Sequence, residues 1–106
     1  MATASATASA LKITSRQRRY LRSLAHHLDP LVQLGKAGLG PKALREIDRG
    51  LADHELIKVK IICDDREEFS TIAEGLAEGT GASLVQTIGR IVVLYRKGEE
   101  PEIKLP

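Results

Sequence analysis

Residues 55–63 read ELIKVKIIC, and this run constrains the fold more than any other. Ile57, Val59 and Ile61 alternate with Lys58 and Lys60. A period of two sends the branched residues to one side of a strand and the lysines to the other, which predicts a strand with one buried face. An apolar strand face needs a covering layer, and the flanking sequence offers helices to supply it.

Upstream, Leu44, Ile47 and Leu51 form an apolar stripe behind Pro41, a residue suited to the first position of a helix. Gly50 falls inside this second helix, where it costs about 1 kcal/mol against alanine. A close approach of helix to sheet would account for it. The first helix carries Leu21, Leu24, Ala25 and Leu28 on one stripe, with Thr14 and Gln17 at capping-box spacing and Asp29-Pro30 as its stop. LVQL, residues 31–34, is a short strand between these helices.

Downstream, DDREEFSTIAEGLAEGTG is an acid-fronted third helix. Asp64 or Asp65 caps it, Phe69, Ile72, Ala73 and Leu76 form its stripe, and Gly79 to Gly81 stop it. ASLVQTI and IVVLYRK are strands joined by a tight hairpin at Gly89-Arg90. The order α-β-α-β-α-β-β predicts a single α/β domain with a four-stranded mixed sheet and packed helices. Its first β-α-β unit should be parallel and right-handed, and its last two strands antiparallel. Residues 1–11, rich in Ala, Ser and Thr, are expected to be a disordered lead-in, residues 12–97 the domain, and residues 98–106 a polar, proline-broken tail.

Composition excludes several function classes. Only Tyr20, Phe69 and Tyr95 are aromatic, too few for an RNA-binding sheet built on stacked rings. Cys63 is the one cysteine and has no internal disulfide partner, which points to the cytoplasm. No apolar run spans a bilayer, so no membrane partner is expected. His26, His27 and His54 lack metal-binding spacing, no catalytic constellation is evident, and no enzyme activity, metal or cofactor is called for. The pairs Asp64-Asp65 and Glu67-Glu68 suit capping and solubility better than acid–base chemistry.

Charge divides the chain. Residues 12–62 hold eleven bases and five acids, a net +6, whereas residues 63–106 hold five bases and nine acids, a net −4. The basic part contains Gly35-Lys36-Ala37-Gly38, between the short strand and the second helix. No Ser or Thr follows Lys36, so the loop is not a nucleotide-binding P-loop. It can serve as a plain turn, or it can admit a nucleic-acid backbone to a helix N-terminus. Lys42, Arg45 and Arg49 lie at i, i+3 and i+7 along one exposed face of the helix that follows.

Four stretches together resemble the CRM domain (chloroplast RNA splicing and ribosome maturation), in particular its free-standing bacterial YhbY-like members: QRRYLRSLAHHLDPLVQLGKAGL, ALREIDRGLADHELIKVKI, VQTIGRIVVLYR and IKLP. The resemblance implies a fold similar to the C-terminal domain of translation initiation factor three. It implies RNA binding through the G-x-x-G loop, here Gly35, Lys36, Ala37 and Gly38. It also implies association with ribosomal RNA in precursors of the large ribosomal subunit. Arg19, Arg22, Lys42 and Arg45 are the expected electrostatic supports, with Arg90 at the hairpin a further candidate. Gly40 departs from the family pattern, in which a hydroxyl residue is commoner and would cap the second helix better. The protein is expected to act as a monomer, with ribosomal proteins as additional partners. The alternative is a protein–protein adaptor on ribosomal particles, using the acidic C-terminal half.

Overall fold

The computed structural model describes residues 13–35, 40–99 and 101–106. Its elements are α1 (Ser15–Ala25), β1 (Pro30–Leu34), α2 (Pro41–His54), β2 (Leu56–Ile61), α3 (Arg66–Thr80), β3 (Ser83–Ile88) and β4 (Ile91–Tyr95). The order is the one the periodicities predict. The lead-in at residues 1–11 lies outside the described residues.

The four strands lie in the order β1-β2-β4-β3. β1 runs parallel to β2, while β4 is antiparallel to both of its neighbours. Interior position explains why β4 is the most apolar strand, with Val92, Val93, Leu94 and Tyr95 all buried.

Each sheet face has its own core. Ile57, Val59, Ile61, Val92 and Leu94 pack under Ile47 and Leu51 of α2 and Phe69, Ile72 and Leu76 of α3. On the opposite face, Leu56, Val85, Val93 and Tyr95 pack under Leu21 and Ala25 of α1. The expectation of one buried face on β2 is therefore corrected: its second face is closed at Leu56 by α1 and left partly open at Lys58 and Lys60. Alternation within β2 shows only that its two faces differ, and the first helix settles how much of the polar one is covered.

Local chemistry sets the element ends. Thr14 and Gln17 form a reciprocal capping box, each backbone N–H donating to the other's side chain at 3.0–3.1 Å. α1 stops at Ala25, before the Asp29-Pro30 stop, because its last turn tightens: Leu28 N–H donates to the Ala25 carbonyl at 2.9 Å. Leu28 is consequently 38% exposed and drops out of the expected stripe. Asp65 caps α3 through Glu67 N–H, and Gly81, in the left-handed conformation at φ 70°, ends it. At Gly50 the expected close approach is present. A Cβ there would lie 2.6 Å from Leu31 Cδ2 of β1, which reaches over from a bulge in that strand.

Two charged side chains tie the C-terminal part down. Arg96 donates to the carbonyls of Thr80 and Asp48 and pairs with the Asp48 carboxylate, joining the end of β4 to α3 and α2. Glu55, 5% exposed, accepts from the backbone N–H groups of Gly98, Glu102 and Ile103 at 2.7, 2.8 and 3.0 Å. Burial alone raises its pKa. The three N–H groups and nearby Lys97 outweigh that and hold the carboxyl below its ordinary 4.5. The described part of the segment read from sequence as a polar tail, residues 98–99 and 101–106, is thus strapped across the α1 face, with Ile103 and Leu105 packed against its core.

Candidate nucleic-acid interface

On the α1 side, cover thins toward the end of the sheet where Gln33 of β1, Lys60 of β2 and Ile88 of β3 lie half-buried or exposed. Strand pairing places Lys58 beside Val93 and Lys60 beside Ile91, and Gln33 of β1 beside Lys60. Since paired residues share a face, these side chains continue the α1 side of the sheet beyond the part that α1 closes. Lys58 and Lys60 are half-buried and Gln33 is exposed.

Arg19 and Arg22 project from α1 over this same face. With Lys58 of β2, Gln86 and Ile88 of β3 and His26 they line a groove of about 460 Å³. Among the described residues, no carboxylate pairs with Arg19, Arg22 or Lys58. Three cations converging on one groove without an internal counter-charge leave a field suited to an anionic ligand. Arg18, one residue before Arg19, does something different: its Nη1 donates to the carbonyls of Leu84 and Val85, both at 2.7 Å.

Gly35 follows β1 directly and is exposed. A Cβ at Gly35 would meet nothing within 4 Å, and its φ is not in the positive region, so neither packing nor backbone strain demands glycine there. Lys36, Ala37 and Gly38 lie outside the described residues. Gly40 is the N-cap of α2 and supplies no side-chain cap bond, as the missing hydroxyl predicts. The first N–H groups of α2 therefore lack a side-chain acceptor beside Lys42, a setting that favours phosphate.

The expected site residues fall into groups. Arg19 and Arg22 come together, and Lys58 joins them. Lys42 and Arg45 are exposed on the first two turns of α2, a helix that packs on the other sheet face. Between the two groups runs the uncovered sheet end, through Lys60 and Gln33 to Gly35. Arg90 stands apart at the hairpin tip. It lines a smaller hollow of about 230 Å³ with Asp64, Asp65 and Arg66, where carboxylates dilute its charge. Its carbonyl accepts from Ile61 N–H at 2.8 Å, and Gly89, at φ 59°, takes the turn position that needs a positive φ.

Lys58, Lys60, His26 and Gln86 are absent from the sequence-derived set. The alternation in β2 marks its two lysines as a face, but only the position of α1 shows that the face belongs to a groove. Cys63 is 3% exposed, and its thiol donates to the Asp65 carbonyl at 3.5 Å. No histidine lines the hollow beside it, so no imidazole is placed there to activate the thiol. Among the described residues, no group of three metal-ligating side chains occurs, and no helix is long and apolar enough to cross a membrane.

Comparison with known proteins gives a consistent result. Residues 13–96 match the model of the CRS1 / YhbY (CRM) domain. An "RNA-binding protein" of Haemophilus influenzae is 48% identical over 94 residues, spanning 89% of this chain and 95% of the relative. "Probable RNA-binding protein YqeI" of Bacillus subtilis is 42% identical over 95 residues, spanning 89% and 99%. The solution structure of protein SAV1595 from Staphylococcus aureus superposes with a TM-score of 0.78 at 44% identity, covering 90% of this chain and all of that one.

Proposed function

The chain belongs to the CRS1 / YhbY (CRM) domain family, and from that premise we propose that it binds RNA along the uncovered sheet end. The surface starts at Arg19 and Arg22, crosses Lys58 and Lys60, and reaches Gly35, the first residue of the G-x-x-G loop, with Lys42 and Arg45 on α2 as further supports. The observation that carries this reading is the convergence of Arg19, Arg22 and Lys58 on one groove with no carboxylate paired to them. Names of the relatives point the same way, since they are called RNA-binding proteins. The finer reading is ribosomal RNA in precursors of the large subunit, bound by a monomer in the cytoplasm without catalysis. Arg90 belongs to the periphery of this surface.

Such a surface contacts mainly phosphate, so affinity should fall steeply with salt. Neutralising Lys36, Lys42 and Arg45 together should weaken binding uniformly across RNA sequences. The slope of log affinity against log salt should become shallower by about 2, at roughly 0.7 per lost single-strand contact. An unchanged affinity and slope in the triple variant would remove the loop and α2 from the interface. In-cell crosslinking and sequencing of the adducts should recover large-subunit ribosomal RNA. Adducts confined to other RNAs would refute the ribosomal assignment and leave RNA binding standing.

A further inference from the structure

We propose that the groove between α1 and the sheet receives one unpaired RNA nucleotide, with Gln86 reading the edge of its base. This rests on the RNA-binding reading and adds a base-specific contact to a surface otherwise built for phosphate.

The argument begins at a β-bulge. β3 faces α2 and α3 at Leu84, which pairs with Leu94, and faces α1 at Val85, which is buried in the α1 core. Strict alternation would return Gln86 to the first face. The register instead shifts between Leu84 and Gln86, and Gln86 pairs with Val93, a residue of the α1 core. The extra residue thus turns Gln86 into the groove, as bulges beside binding sites commonly re-aim a side chain. Arg18 holds the turned backbone from α1 through its two bonds to the Leu84 and Val85 carbonyls. Alternation then resumes, Thr87 opposite Val92 and Ile88 opposite Ile91, so Gln86 and Ile88 stand two residues apart on the same face.

The result is a mixed lining. Arg19, Arg22 and Lys58 supply positive charge, and Gln86 supplies an amide with no partner of its own among the described residues. Ile88 is 52% exposed and gives an apolar wall. A groove of about 460 Å³ lies in the ordinary range for small-ligand sites, roughly 300–1,000 Å³. Paired RNA presents phosphates and sugars but keeps its base faces stacked. Only an unpaired nucleotide offers a phosphate, a flat apolar face and a free hydrogen-bonding edge at once. An amide donates and accepts side by side, the pattern that complements an adenine edge.

The test uses the full chain with two probes, hairpin RNAs carrying randomised loops and a fully paired duplex of equal length. The wild type should select hairpins with a fixed base at one loop position. Gln86→Ala should lose that preference about tenfold or more, while its duplex affinity, salt slope and melting temperature stay unchanged. Ile88→Ala should weaken hairpin binding and leave duplex binding alone. Selection of the same base by wild type and Gln86→Ala overturns the proposal, as does equal binding of hairpin and duplex by the wild type. In either case salt-dependent RNA binding survives. If neither probe binds, the RNA-binding reading fails with it.

Discussion

Replacing Glu55 separates two effects that the fold combines at one residue. Glu55 has φ 65° and ψ −42°, the only positive φ among described non-glycine residues. Its backbone is held there because its N–H donates to the Leu51 carbonyl and its own carbonyl accepts from Arg96 N–H, both at 2.8 Å. Its carboxylate meanwhile accepts three N–H bonds from the C-terminal strap. Hydrogen bonds to a charged group contribute about 1.5–3 kcal/mol each in isolation. They are not additive here, since the strap can leave and let water satisfy its N–H groups, so Glu55→Ala should cost about 3 kcal/mol in all. Glu55→Gly loses the same bonds but relieves backbone strain of about 1 kcal/mol. At roughly 4–8 °C per kcal/mol for a domain of this size, Glu55→Ala should melt some 12–24 °C below wild type and Glu55→Gly about 5 °C above Glu55→Ala. Thermal denaturation by circular dichroism reads both shifts, and trypsin should cut after Lys97 faster in each variant. A glycine variant no more stable than the alanine one would refute the strain argument. Two variants within a few degrees of wild type would refute the role of the carboxylate.

The same residue sets a pH dependence. Its folded pKa is depressed below 4.5, so its contribution is present above that value and is lost as pH falls through the folded pKa. Urea titrations should therefore show a stability gap between wild type and Glu55→Gln at neutral pH that closes in acid. A gap independent of pH would contradict this. Gly50→Ala should be tolerated, with a melting temperature within a few degrees of wild type. Leu31 is half-exposed and can swing away from the new methyl, while the helix gains about 1 kcal/mol of propensity. A loss beyond 10 °C would mean that Leu31 is fixed. Cys63 should react with a thiol reagent far more slowly in the native protein than in denaturant, and immediate stoichiometric labelling would show it accessible.

Much of the fold was legible because each element carries a clean period and a punctuating residue. Ile57, Val59 and Ile61 mark β2, Pro41 opens α2, and Gly89-Arg90 closes the hairpin. What escaped involves partners distant in sequence. Glu55 holds residues more than forty positions away, and nothing local distinguishes it from a surface glutamate. The bulge at Val85 has no proline or glycine to announce it and depends on Arg18, 66 and 67 positions from the carbonyls it holds. Legibility of the candidate site follows the same division. The glycine spacing and the basic ridge of α2 are local, whereas the entry of Lys58 and Gln86 into the groove needs the sheet register and the docking of α1.

The strand order also bears on how the chain acquires its shape as it is made. β4 is the last strand in sequence, yet it sits between β2 and β3. Until Ile91–Tyr95 has been added, β3 has no neighbour in the sheet and β2 has only β1. In growing chains shorter than this, β2 presents an unpaired edge where β4 will lie, and the stripe of α3 lacks Val92 and Leu94 beneath it, features that invite aggregation. Completion of the sheet therefore waits on the synthesis of β4, and the interval before it is when the chain has most to gain from a chaperone.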